Sequence, residues 1–193
     1  FTATQIASIS TTGMAALSGG RLTALSTTQL AALTATQVGA LAATDVSGLS
    51  TTQLRSLSTS GIGGLEAEDI AGLSTTQVQS LLSAQVAAFS TTAVRNLTVA
   101  EVGALTSTQF ASLTAAQIGA LSTTQMSAFS ATQINGFTTT QTSGLSVAQV
   151  ESLTATTVAG LNATHIAALS VTAVGGLSAG QVTALTTSQF MAL

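Results

Sequence analysis

Every eighth residue of this chain is large and apolar, from Phe1 to Leu193, and the register never slips. With Phe1 as position a of the first octad, the 193 residues make 24 octads and one closing Leu. The 25 a positions hold 20 Leu, four Phe and one Ile. Position f is large and apolar in 23 of 24 octads, with Thr142 the exception. Position b is Ser or Thr in 20 octads, and position e is Gln in 14. Position h is Ala, Ser or Gly in all but one. The consensus is L-[ST]-x-x-Q-[VIL]-x-A. Loops of ordinary globular domains vary in length. A unit that never gains or loses a residue instead occupies a fixed place in a stack.

Eight residues do not suit a continuous α-helix. At 3.6 residues per turn, successive octads drift about 80° around the axis and make no common face. Heptad and hendecad supercoils do not match the period either. A helix that restarts in each octad does. In Leu25–Ala32, Ser26 as N-cap places Gln29 at the third helical position, the reciprocal arrangement of a capping box. Leu25 and Leu30 then occupy the two positions of a hydrophobic staple around that box. Ser74 with Gln77 and Ser122 with Gln125 repeat the pattern. The sequence therefore predicts an all-α solenoid of very short capped helices, one per octad. Residues such as Leu25, Leu30, Leu33, Val38, Leu105 and Phe110 form its core. Helices this short do not stand alone, because isolated helices below about 12 residues are marginal. The small h position lets backbones approach. A β-solenoid is the competing reading, since Thr and Val favour strands. It requires a corner inside each octad, because a and f would otherwise fall on opposite faces of one strand. The number of octads per coil is not legible, as no 16- or 24-residue super-period stands out.

Composition excludes several functions. There is no Cys, Pro, Trp, Tyr or Lys, and the net charge is −3. Without Cys there is no disulfide framework, thiolate metal site or Cys nucleophile. Three Arg do not cover a phosphate backbone, so nucleic acid is not an expected partner. No apolar run reaches the 18 or so residues that span a bilayer. His165, the single His, occupies an e position and reads as a substitute for Gln beside a cap. Glu66, Glu68 and Asp69 form the only acidic cluster. Glu66 and Asp69 fall at b and e, where acid suits a helix N-terminus, so a Ca²⁺ role is the lesser reading. Arg21, Arg55 and Arg95 are scattered and read as solvent-facing. The pairs Gly19-Gly20 and Gly63-Gly64 lack a phosphate-loop context. Two glycosylation sequons begin at Asn96 and Asn162. We expect no catalytic residue, metal or cofactor, and no enzymatic activity.

The tandem units Leu25–Ala32, Leu73–Ser80 and Leu121–Ala128 resemble repeat tracts of very large secreted or surface-anchored bacterial proteins, of adhesin-like or surface-layer type. That resemblance implies an extracellular or cell-surface structural part. Residues 1–193 then form a single continuous array, a segment of a longer chain or a subunit that stacks on its own copies. The expected role is the structural subunit of a self-assembling filament or surface layer, its partners copies of itself joined end to end or laterally. The outward c and d positions, rich in Thr, give the alternative: an adhesin-like stalk or binding module with a face for glycan or ice.

Overall fold

A computed structural model of the protein describes residues 1–17 and 20–193. Among them every regular element is a helix, and the 23 helices are four to six residues long. Helices start at Thr27, Ala35, Ala43, Thr51 and Thr59, at intervals of eight. The all-α solenoid is the fold, and no strand occurs among the described residues. Most helices begin at a side-chain cap. Ser26, for example, has extended backbone (φ −70°, ψ 160°), and its side chain accepts the Gln29 N–H. The helices after Ala42, Glu66 and Leu82 keep the register without a cap bond from that residue. The next octad ends the helix, because its a residue turns back to extended geometry before the following cap.

One octad departs from this rule. Residues 20–24 of octad 3 form turns rather than a helix. Gly20 lies in the left-handed region at φ 87°, which stops a right-handed helix and which glycine adopts without strain. Arg21 replaces the capping Gln. Leu22 is nevertheless fully buried, so the core position survives without the helix. Gly19, one half of the first glycine pair, lies outside the described residues.

Backbone contacts group the chain into two units, Phe1–Ala104 and Leu105–Leu193. Within the first, helix Thr27–Ala31 packs on Thr51–Ser56, which packs on Thr75–Ser80. Helix Ala43–Ser47 packs on Ala67–Ala71, which packs on Thr91–Asn96. Within the second, Thr123–Ser127 packs on Val147–Ser152, and Ala155–Ala159 on Ala179–Ala184. Each partner is 24 residues away. Three octads therefore make one coil in each unit, and within a unit an octad stacks on the third one before it.

The two apolar positions are buried differently. The f side chains Ile6, Met14 and Leu22, in the first coil of residues 1–193, are fully buried with only the following coil stacked on theirs. Those of the last coil are open, Val182 at 39% and Phe190 at 60% exposure. An f side chain is thus covered by the coil that follows it. The a side chains need coils on both sides: Leu33 and Leu105 are buried, whereas Leu25, near the first coil, is only half-buried. Leu30, Val38 and Phe110 have no exposed surface. Phe110, Phe129 and Phe137 form an aromatic cluster in the second unit, with ring centroids 4.8 to 6.0 Å apart. Thr142, the one polar f residue, is buried as well. Its hydroxyl donates to the Thr138 carbonyl at 3.1 Å, an i−4 bond that satisfies it inside the core.

Candidate functional site: the glutamine corners

The recurring chemistry of this molecule lies at the corners between octads, and the e residue is its centre. Gln77 shows the pattern. Its Oε1 accepts the Ser74 backbone N–H at 2.8 Å, and the Ser74 hydroxyl accepts the Gln77 N–H at 3.3 Å. That is the capping box. Its Nε2 reaches the preceding coil and donates to the carbonyls of Ser47 at 2.9 Å and Leu49 at 2.8 Å. These are carbonyls that a helix end leaves without an intrahelical partner. One amide therefore closes a helix start in its own coil and the chain corner directly beneath it. Gln77 is 92% buried, and only a group with both donors and acceptors fits such a site without loss.

The same bonds recur at fixed offsets. In the first unit, Gln37 donates to Ile6 and Ile9, Gln53 to Thr23 and Leu25, and Gln85 to Arg55 and Leu57. Gln29 donates to the Phe1 carbonyl and forms its capping box with Ser26. In the second unit, Gln149 donates to Ile118 and Leu121, and Gln181 to Val150 and Leu153. Gln125 and Ser122 complete a capping box there. The acceptors lie 28, 30 or 31 residues back. Among the described residues no buried side-chain nitrogen or oxygen lacks a hydrogen-bond partner. The capping half of this role is legible in the sequence. The stacking half is not, because it requires knowing that three octads make a coil. The unused Nε2 of a repeated, buried amide is the signal that could have pointed to it.

Substitutions at e show what the corner tolerates. His165 occupies the Gln position with its Nε2 2.8 Å from the Phe137 carbonyl, 28 residues back. A carbonyl only accepts, so Nε2 is the donor. The Nδ1 lies 2.6 Å from Asn162 Oδ1, which leaves the Asn162 backbone N–H without the acceptor that Gln would supply. Asn135, from the coil beneath, fills that gap: its Oδ1 accepts the Asn162 N–H at 3.0 Å while its Nδ2 donates to Gly160 O at 2.8 Å. Thr157 uses a hydroxyl instead, donating to the Phe129 carbonyl at 3.2 Å. The Asn162 of the second sequon is thus committed to a cap. Asn96, of the first, donates to Thr92 O at 2.9 Å.

Two buried carboxylates also stand at e. Glu101 accepts the Thr98 N–H at 2.6 Å, and Asp69 accepts the Glu66 N–H at 2.8 Å. Both are almost fully buried. Burial pushes the Asp69 carboxyl above its ordinary range, the charges of Glu66 and Glu68 push the same way, and the Glu66 N–H opposes them. Asp45, Glu66, Glu68, Asp69 and Arg95 all fall on the stacked octads 6, 9 and 12 of the first unit, a column in which no e residue is Gln. No group of three His, Cys, Asp or Glu among the described residues converges as metal ligands would. Arg21, Arg55 and Arg95 are exposed. Gly63 and Gly64 line an open groove of about 470 Å³ with Glu66, Glu68, Ser90 and Thr92. No helix among the described residues is long and apolar enough to cross a membrane.

The comparisons with known proteins agree with a repeat protein. The family model of the ALTTAQ repeat matches residues 43–75, 62–99 and 78–115. Read as one-letter codes, the six letters of that name correspond to positions h through e here, as in Ala32-Leu33-Thr34-Ala35-Thr36-Gln37. The final letter is the stacking amide. Neither a curated protein nor a solved structure matches the chain.

Proposed function

We propose that this chain is a structural, non-enzymatic subunit of an extracellular self-assembling filament or surface layer of bacterial origin, with copies of itself as partners. The observation that carries this reading is the direction of the Gln bonds. Within each unit a coil offers amide donors to the coil before it and carbonyl acceptors to the coil after it. Such a relation joins two different surfaces, and heterologous contacts of that type propagate rather than close. The polar side chains are engaged in architecture: the e residues hold coils together, and the b residues hold helices. What remains outside is a weakly charged surface, mostly of Ala, Ser and Thr with a few exposed apolar residues such as Leu82 and Val171.

One observation favours a second reading, a stalk or binding module with glycan as its ligand. The pairs Thr27-Thr28, Thr51-Thr52 and Thr75-Thr76 lie on three stacked helices of the first unit, and five of the six residues are exposed. They form a regular hydroxyl array.

Electron microscopy of frozen, undenatured protein over a range of concentrations separates the two. Long fibres or sheets of uniform repeat are expected for self-assembly. Isolated particles at every concentration would overturn it and turn attention to a glycan-array or ice-binding assay of the Thr-rich face.

A further inference from the structure

The corner site is built for a donor, and Asp69 places an acid in it. In the first unit the offset that brings Gln77 to Ser47 and Leu49 brings residue 69 to Gly39 and Leu41. Helix Ala67–Ala71 packs on Ala43–Ser47 in the same way as the Gln-bearing helices pack on theirs. By that offset the groups of the coil beneath that correspond to the Gln77 acceptors are the Gly39 and Leu41 carbonyls, which only accept. Gly64, just before the corner, lies so close to the coil below that a Cβ there would stand 2.1 Å from the Ala35 carbonyl oxygen. Asp69 is 97% buried and its Oδ2 is engaged by the Glu66 N–H. The ionisable groups around it are mostly acidic. Glu66 and Glu68 belong to its own octad, Asp45 to the helix beneath, and Arg95 to the helix Thr91–Asn96 above. An open groove lined by Glu66 and Glu68 of the same octad lies beside this corner.

We propose that Asp69 is a proton-operated version of the Gln clamp: as a neutral acid it donates its hydrogen to the preceding coil, and as a carboxylate it leaves those carbonyls unpaired and loosens the corner. Nothing in this proposal depends on self-assembly. The acid keeps both functions of Gln, with its carbonyl oxygen accepting the Glu66 N–H and its O–H supplying the stacking bond. The carboxylate keeps only the first, and it carries a buried negative charge among other acids. The direction of the shift at Asp69 supports this, since its folded-state value lies above the ordinary 3.8. A group raised on folding contributes stability in full below the unfolded value and loses it as pH rises through the folded one. Acidification from neutrality therefore tightens this corner. A carboxylate held by a cation would do the reverse.

The test is thermal unfolding of the full chain, together with hydrogen exchange of residues 65–72, both followed from pH 7 down to about pH 3, below the ordinary carboxyl value. Asp69→Asn, which carries a permanent donor, is the main variant, and Asp69→Gln, which restores the repeat residue, is the second. In the wild type, stability and protection of residues 65–72, corrected for intrinsic exchange, rise as the pH falls. In Asp69→Asn the protection at pH 7 equals or exceeds that of the wild type, and its pH dependence is lost. If both variants keep the wild-type pH slope, or if wild-type protection falls on acidification, the proposal is overturned. If Asp69→Asn fails to fold, the Asp69→Gln profile decides between these outcomes.

Discussion

Gln77 Nε2 donates to the carbonyl of Leu49 at 2.8 Å, across 28 residues of chain, while Oε1 of the same amide holds the Ser74 N–H. The amide that recurs at position e is therefore a tie between coils as well as a cap.

Replacing Gln77 by Leu keeps the approximate size and removes every one of these bonds. The Ser74 N–H and the Ser47 and Leu49 carbonyls lose their partner, and each buried polar group left alone costs about 1–3 kcal/mol. We expect a loss of about 2–5 kcal/mol in denaturant unfolding. A loss below about 0.5 kcal/mol, the usual range for surface substitutions, would show that the corner is hydrated instead.

Glu101 is the same length as Gln, holds the Thr98 N–H, and carries no hydrogen when ionised. Glu101→Gln supplies the missing donor without changing shape. Stability at pH 7 should rise by about 1–2 kcal/mol, the net value of one or two buried hydrogen bonds. An unchanged or lowered midpoint would mean that the carboxylate has a better partner than an amide.

The trio Asn135, Asn162 and His165 yields a double-mutant cycle. With His165 in place, Asn135 supplies the acceptor for the Asn162 N–H; with Gln at 165, the capping box supplies it. Asn135→Ala should cost about 1–2 kcal/mol in the wild type and clearly less in a His165→Gln background. Equal costs in the two backgrounds would mean that the residues are not coupled.

Two glycines should respond oppositely to alanine. At Gly64 the new methyl meets the Ala35 carbonyl oxygen at 2.1 Å, so Gly64→Ala must push backbones apart and destabilise. At Gly180, within helix Ala179–Ala184, it meets nothing within 4 Å. Gly180→Ala should stabilise by about 0.5–1 kcal/mol, chiefly through backbone entropy. Thermal melts of the two variants give both signs.

Leu105 is 4% exposed and Ser107 is exposed. Leu105→Ser combines a lost side chain with a buried hydroxyl and should cost about 3–5 kcal/mol. Ser107→Ala should stay within about 0.5 kcal/mol of wild type. Similar melting temperatures for the two would overturn the assignment of position a to the core.

Much of the local structure is legible in the residues themselves. Ser26 and Gln29, three apart, specify a cap, and Leu25 and Leu30, five apart, place a staple around it; these are short-range relations that a linear string records. The coil is different. Octads that are nearly alike give no sign of whether the second, third or fourth neighbour is the stacking partner, so Gln77 cannot be connected to Leu49 without the fold. For the same reason Asp45, the acids at 66–69 and Arg95 look unrelated along the chain and fall on one stack of helices only when read at intervals of 24. Leu25 is half-buried because a residue at a requires coils on both sides, a fact about position in the array that the consensus letter does not carry. Residues 20–24 of octad 3 keep the apolar Leu22 and form turns where Gly20 adopts φ 87°, a backbone outcome that the consensus pattern does not specify.

The covering of each f side chain by the coil that follows has a consequence for synthesis. Within each unit the inter-coil glutamine bonds reach back to carbonyls 28 to 31 residues earlier, so an emerging corner finds its acceptors already made. The loop to be closed has the same length for each added coil, however long the array becomes, and its entropic cost does not grow. Folding of this kind depends on near-neighbour contacts alone, and the chain can wind itself up from the amino terminus at the pace at which it is translated.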